Sequence, residues 1–111
     1  MWLILPFNLI NKIENISLNI QRLDLSNNKI RKIENLPVNI RDLDLSDNRL
    51  TKIENLPDSI EKLYLTNNYY IIDKPSNVKE LWLNRNLITK VKNIPKSVIR
   101  LNVRDNPCYI D

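Results

Sequence analysis

Leucine pairs of the form LxL return along this chain at Leu3/Leu5, Leu23/Leu25, Leu43/Leu45, Leu63/Leu65 and Leu81/Leu83, and Leu101/Val103 closes the series. The interval is 20 residues throughout except between Leu63 and Leu81, where it is 18. Five residues after the first member of each pair stands an asparagine: Asn8, Asn28, Asn48, Asn68, Asn86 and Asn106. Three residues before the pair, from the second pair onward, stands Ile20, Ile40, Ile60, Val78 or Val98. Side chains alternate along a strand, so the two leucines of LxL point the same way and leave the opposite face to variable residues. One strand this short cannot bury its apolar face, so successive copies must stack into a parallel sheet over a continuous core. The asparagine falls where the chain turns inward, and its amide can satisfy backbone groups there that an apolar side chain would leave bare.

A second motif keeps the same period. KIENLP spans 32–37 and 52–57, with KIENIS at 12–17. Its isoleucines, Ile13, Ile33 and Ile53, continue the inward positions, while Lys12, Lys32, Lys52 and Glu14, Glu34, Glu54 alternate outward as neighbouring stripes of opposite charge. Exposed pairs of this kind contribute about 0–1 kcal/mol each, so they serve solubility and register more than stability. Asn15, Asn35, Asn55 and Asn93 form a second asparagine column. The chain has no glycine, so asparagine is the residue expected at left-handed turn positions. Pro37 and Pro57, matched by Pro75 and Pro95, mark the descent into the next strand.

The combined pattern, IxxLxLxxNxIxxIxxLP, resembles the leucine-rich repeat family, whose consensus has LxxLxLxxN at its centre. The resemblance runs from Leu3 to Asn106. The 20-residue length and the LP before each strand are similar to the short repeats of effector proteins of bacterial pathogens and of large AT-rich viruses of protists. The resemblance implies an α/β-type leucine-rich-repeat solenoid. This would be a right-handed curved superhelix with a concave parallel β-sheet of six short strands and a convex side of extended or 3₁₀ turns with little regular helix. A single domain over 1–111 is expected, with repeats beginning near 1, 20, 40, 60, 78 and 98, no separate N-terminal cap and a minimal C-terminal cap at 104–111. Repeat four departs from the pattern, since YYIIDKPSNV is short by two residues and puts Lys74 where Leu36 and Leu56 stand. Ile71 or Ile72 is expected to slide into the core there.

Composition removes several functions. There is no His and no Gly among the 111 residues, which excludes imidazole bases, histidine metal sites and glycine-rich phosphate loops. No cofactor or metal is expected. The single cysteine, Cys108, has no internal disulfide partner and no histidine to activate it, and reads as a small buried residue. The opening MWLILPFNLI has no basic n-region and is shorter than the ~20 apolar residues of a membrane span. An intracellular, cytoplasmic location is expected, in a host cytoplasm for a viral or effector protein.

In a solenoid the core columns report the fold, so function is sought among the variable columns of the sheet face. Three zones stand out. Trp2, Ile4 and Phe7 put large apolar groups on positions that should be solvated, at a free sheet edge. Two readings stand side by side: a homodimer through the uncapped N-terminal repeat, or N-terminal residues folded over the exposed core. The middle zone sets Asp24, Asp44 and Asp42 on adjacent strands beside Arg22 and Arg41. Two carboxylates about 5 Å apart suit a retaining glycosidase, but a flat sheet should not dry the site, and the nearby arginines should keep both ionised.

The third zone joins Tyr64, Trp82, Tyr69 and Tyr70 to Lys62, Arg85, Arg100 and Arg104, the residue types that dominate the centres of protein interfaces. From Lys74 to Arg104 there are 8 basic residues against 1 acid, whereas the rest of the chain is net acidic. The reading is a non-catalytic scaffold that binds a protein partner through Tyr64, Trp82, Lys62, Arg85, Arg100, Arg104, Asp24 and Asp44. The alternatives are nucleic acid on the basic half and, less favoured, a carbohydrate-active enzyme using Asp24 and Asp44.

Overall fold

A computed structural model describes residues 1–52, 54–69, 78–89 and 96–107. Each LxL motif places its first leucine at the centre of a three-residue strand: β1 Trp2–Ile4, β2 Arg22–Asp24, β3 Asp42–Asp44, β4 Lys62–Tyr64, β5 Glu80–Trp82 and β6 Arg100–Asn102. The strands form one parallel sheet in chain order, so every repeat touches only its neighbours along the solenoid. Register is set by the leucines, with Leu3, Leu23, Leu43, Leu63, Leu81 and Leu101 in a single line across the sheet. The 18-residue repeat does not disturb it, because Leu63 faces Leu81 as the others face their partners. The core substitution expected at Ile71 or Ile72 and the role of Lys74 lie outside the described residues, as do Ile53, Tyr70, Asn93 and Cys108.

Among the described residues the apolar core behind the sheet is made of Leu, Ile and Val. Leu23, Leu43, Leu63 and Leu81 from the strand centres, Leu25, Leu45, Leu65 and Leu83 from the second leucine, and Ile13, Ile33 and Ile30 from the far side are all essentially sealed. Burying one such side chain contributes about 1.5–3 kcal/mol, and each column repeats it down the stack. The seal weakens at the ends: Leu3 and Leu5 are only partly buried, and Leu101 is exposed. Among the described residues there is no helix. The chain enters β3 and β4 through tight turns in which Ile40 N donates to Pro37 O and Ile60 N to Pro57 O, both at 3.3 Å. The proline of LP thus opens a four-residue turn, using its carbonyl and requiring no N–H from its ring nitrogen.

The asparagine column is the second organising element. Asn28, Asn48, Asn68, Asn86 and Asn106 are buried and Asn8 is exposed. At Asn48 the amide nitrogen donates to Leu25 O, Leu45 O and Ser46 O at 3.0, 3.0 and 3.2 Å, while the amide oxygen accepts Ile30 N at 2.9 Å. Each side chain therefore ties its own strand end to the repeat before it. The ladder runs from amide to backbone, with Asn68 N and Asn86 N also donating to the amide oxygens of Asn86 and Asn106. The second column has a related role, since Asn35 and Asn55 donate to Ile13 O and Ile33 O.

Left-handed backbone occurs at two places in each of the first three repeats. Asn15, Asn35 and Asn55 adopt φ of 56°, 54° and 54°, as the absence of glycine implies. The residue before each ladder asparagine does so as well: Phe7, Asn27, Asp47, Asn67, Arg85 and Asp105, at φ between 55° and 58°. The expectation that asparagine alone would fill such positions is therefore corrected. Asp, Arg and Phe are held there because the chain must turn off the sheet at that point in each repeat, whatever residue it carries.

Candidate functional site

On the sheet face the central column reads Ile4, Asp24, Asp44, Tyr64, Trp82 and Asn102, neighbours by register. Three of its members first serve the backbone. Asp24 Oδ1 accepts Ser26 N and Ser26 Oγ at 3.0 and 2.7 Å, Asp44 Oδ1 accepts Ser46 N at 2.9 Å, and Asn102 Oδ1 accepts Arg104 N at 3.0 Å. Each caps the turn that follows its own strand, as short polar side chains do where a strand ends. Tyr64 and Trp82 cannot make this bond. Their rings stack instead, with centroids 6.0 Å apart and planes 19° from parallel. Both are half-buried, and Trp82 Nε1 is fully covered without a hydrogen-bond partner. Bare burial of such a donor costs about 1–3 kcal/mol.

The middle zone differs electrically from its expectation. Arg22 lies over the ring of Trp2 at 4.8 Å, and Arg41 pairs with Glu61 at 3.5 Å, where Lys79 joins from the other side at 3.6 Å. Neither arginine forms an ion pair with Asp24 or Asp44. Burial pushes the Asp44 carboxyl above its ordinary value, the Ser46 hydrogen bonds oppose that shift, and the charges of Asp24 and Asp47 add to it. The expectation of a fully solvated carboxyl with arginines at its side is corrected, since Asp44 is half-buried. Stacked neighbours desolvate it, and the arginines have other partners. A recess of about 200 Å³ opens here, lined by Asp24, Asp42, Asp44, Arg22 and Tyr64.

The third zone is partly assembled as expected. Trp82 forms one wall of an open recess of about 470 Å³ whose other lining is β6 and the turn after it, with Arg100, Asn102 and Arg104. Among the described residues, Arg85, Arg100 and Arg104 make no ion pair, whereas Lys62 is paired with Glu80 at 3.6 Å. Arg85 sits on the left-handed rim position, exposed. Tyr69 does not join this group. It follows the buried Asn68, its N–H donates to Leu50 O, and the turn separates it from the sheet face.

At the N-terminal edge Trp2, Ile4 and Phe7 are 66%, 55% and 78% exposed, so they are not folded over the core. One cluster was missed by sequence reasoning. Lys12, Lys29, Arg31 and Arg49 line a cleft of about 420 Å³ with Asn11 and Glu34, outside the basic 74–104 stretch, in the remainder of the chain that is net acidic by count. The signal was the column after the ladder asparagine, where Lys29 and Arg49 stack. Counting charge by chain segment conceals it. The Lys and Glu stripes do pair, Lys32 to Glu34 at 3.9 Å and Lys52 to Glu54 at 3.4 Å. Among the described residues no group of His, Cys, Asp and Glu could hold a metal ion, and no helix is long and apolar enough to cross a membrane.

Comparison with known proteins agrees with this geometry. The leucine rich repeat family model matches residues 19–38 and 39–63. No curated protein sequence matches the chain significantly. Among solved structures, YopM from Yersinia enterocolitica WA-314 superposes with a TM-score of 0.79 at 23% identity, over 91% of this chain. The chain spans 23% of the length of that protein, so the likeness is one of fold.

Proposed function

We propose, from the leucine-rich repeats matched over residues 19–38 and 39–63 and the six-stranded parallel solenoid, that the chain is a non-catalytic scaffold that binds a protein on its concave sheet face. One observation carries the reading: the stacked Tyr64 and Trp82 at the middle of that face, flanked by carboxylates on one side and unpaired arginines on the other. Rigid aromatic surface at the centre and charge at the margins is the composition of a protein interface. The direct test is affinity capture from the source cell with the wild-type chain and with Tyr64→Ala/Trp82→Ala. Loss of the captured partners in the variant is expected; the same partners on both forms would remove the assignment.

The glycosidase alternative has one observation in its favour, the elevated Asp44 carboxyl. Against it, both aspartates commit Oδ1 to the turn of their own strand. Nucleic acid on the basic half is the other alternative, supported by the unpaired Arg85, Arg100 and Arg104. Binding through phosphates would weaken linearly in log salt with a slope of about −0.7 to −0.9 per contact, which protein binding at an aromatic centre would not follow. Self-association is a further proposal, resting on exposed Trp2, Ile4 and Phe7 beside the edge strand β1. Sedimentation that stays monomeric across a wide concentration range would end it.

A further inference from the structure

The order of chemistry along the concave face is not symmetric. Moving across the strands, the face presents Asp24 and Asp44 on β2 and β3, Tyr64 and Trp82 on β4 and β5, and Arg100 and Arg104 on or next to β6. Two recesses open on either side of the aromatic pair, one lined by Asp24, Asp42 and Asp44 with Arg22, whose guanidinium lies over Trp2, and one by Arg100 and Arg104. The charges at the two ends have no ion-pair partner among the described residues, although Asp24 and Asp44 each use Oδ1 to cap the turn of their own strand. Asp24 and Asp44 have no cation within ion-pair distance, and Arg100 and Arg104 have no carboxylate among the described residues. The charges between them are already matched, Lys62 with Glu80.

Spacing converts this order into a ligand. Parallel strands lie about 4.8 Å apart, so the three intervals from β3 to β6 span about 14 Å. An extended chain advances about 3.3 Å per residue, and this distance is covered in about four residues. In an extended segment residues i, i+2 and i+4 face the same side. We propose that the concave face binds an extended peptide segment of another protein that runs across the strands, with a Lys or Arg over Asp44, an apolar side chain over Tyr64 and Trp82, and an Asp or Glu over Arg100 and Arg104. The recognised pattern is a basic, an apolar and an acidic residue at i, i+2 and i+4, in either chain direction. The inference rests on the concave-face reading above and specifies its partner. Raised by burial without a counter-charge, the Asp44 carboxyl is the group that an incoming ammonium would relieve.

The test is selection from a random peptide display library against the full 111-residue chain, repeated with Arg100→Glu/Arg104→Glu and with Tyr64→Ala/Trp82→Ala. Both arginines are exposed, so their reversal leaves the fold intact. The wild type is expected to enrich opposite charges four residues apart around an apolar residue. Replacing either charged residue of an enriched peptide by Ser should lower affinity roughly fivefold. The Arg100→Glu/Arg104→Glu form is expected to enrich peptides with basic residues at both ends, because both ends of its face are then acidic. Peptides that need Tyr64 and Trp82 but show no charge at i and i+4, or whose selected charges do not change in the reversed form, would overturn the spacing proposal and leave the concave-face reading standing. Peptides that bind equally with and without Tyr64 and Trp82 would overturn both.

Discussion

Replacing one rung of the asparagine ladder by alanine should cost very different amounts at different rungs, and the structure says how much. At Asn48, four hydrogen bonds disappear. None of the three carbonyls it serves loses its only partner. Leu25 O still accepts Asn28 Nδ2, Leu45 O still accepts Asn68 Nδ2, and Ser46 O still accepts Asn27 N. The amide of Ile30 is the group stranded, since its acceptor is the Asn48 oxygen and Ile30 is completely buried. An orphaned buried donor costs about 1–3 kcal/mol, and three bonds lost to carbonyls that keep one partner cost about 0.5–1 kcal/mol each. Asn48→Ala should therefore lose about 2.5–6 kcal/mol, a large part of the ~5–15 kcal/mol that holds a domain of this size.

Asn8 is the internal control. It is exposed, donates only to Leu5 O and Pro6 O, and water can replace both bonds, so Asn8→Ala should cost less than about 0.5 kcal/mol. Urea unfolding of the two variants measures the difference, and hydrogen exchange at the Ile30 amide should accelerate in Asn48→Ala while remaining slow in Asn8→Ala. Equal losses at the two positions, or unchanged protection at Ile30, would refute the assignment of the ladder as a side-chain-to-backbone tie between repeats.

Asp44→Asn should stabilise the protein at pH 7: the folded-state pKa of Asp44 is raised, so its favourable contribution exists below its ordinary value of 3.8 and is lost as pH rises through the folded value. Denaturation of wild type and variant across pH should show the gap closing as pH falls below 3.8, and a gap of opposite sign at pH 7 would contradict the burial argument. Trp82→Phe removes the covered, unpartnered Nε1 and keeps a ring against Tyr64, so its thermal stability should stay within about 1 kcal/mol of wild type, whereas Trp82→Ala should lose about 3 kcal/mol or more. Arg85→Asn should raise stability by up to about 1 kcal/mol in the same measurement, because asparagine already occupies the equivalent left-handed position at Asn27 and Asn67 and tolerates it better than arginine.

The sites were less legible than the columns. That Asp24 and Asp44 share a face with Tyr64 and Trp82 follows from the period, but that their Oδ1 atoms are turned to Ser26 and Ser46 does not, since capping depends on the angle at which each strand ends. Tyr69 looked like part of the aromatic zone because it is close in sequence to Tyr64, yet the left-handed turn at Asn67 carries it off the sheet face. The basic cleft of Lys12, Lys29, Arg31 and Arg49 draws on residues almost 40 positions apart, which charge counting along the chain averages away.

The sequence by itself determined the solenoid. A 20-residue period of LxL and asparagine admits one economical burial scheme, and each copy enforces the register of the next, so strand positions, core residues and ladder could be read without coordinates. Only the tertiary structure decided the electrostatics of the concave face. Whether Arg22 meets Asp24 or Trp2, whether Asp44 is solvated or half-buried, and which described arginines stay unpaired depend on side-chain directions between repeats about 4.8 Å apart. At that spacing a change of rotamer exchanges one partner for another, and repetition in the sequence places no constraint on it.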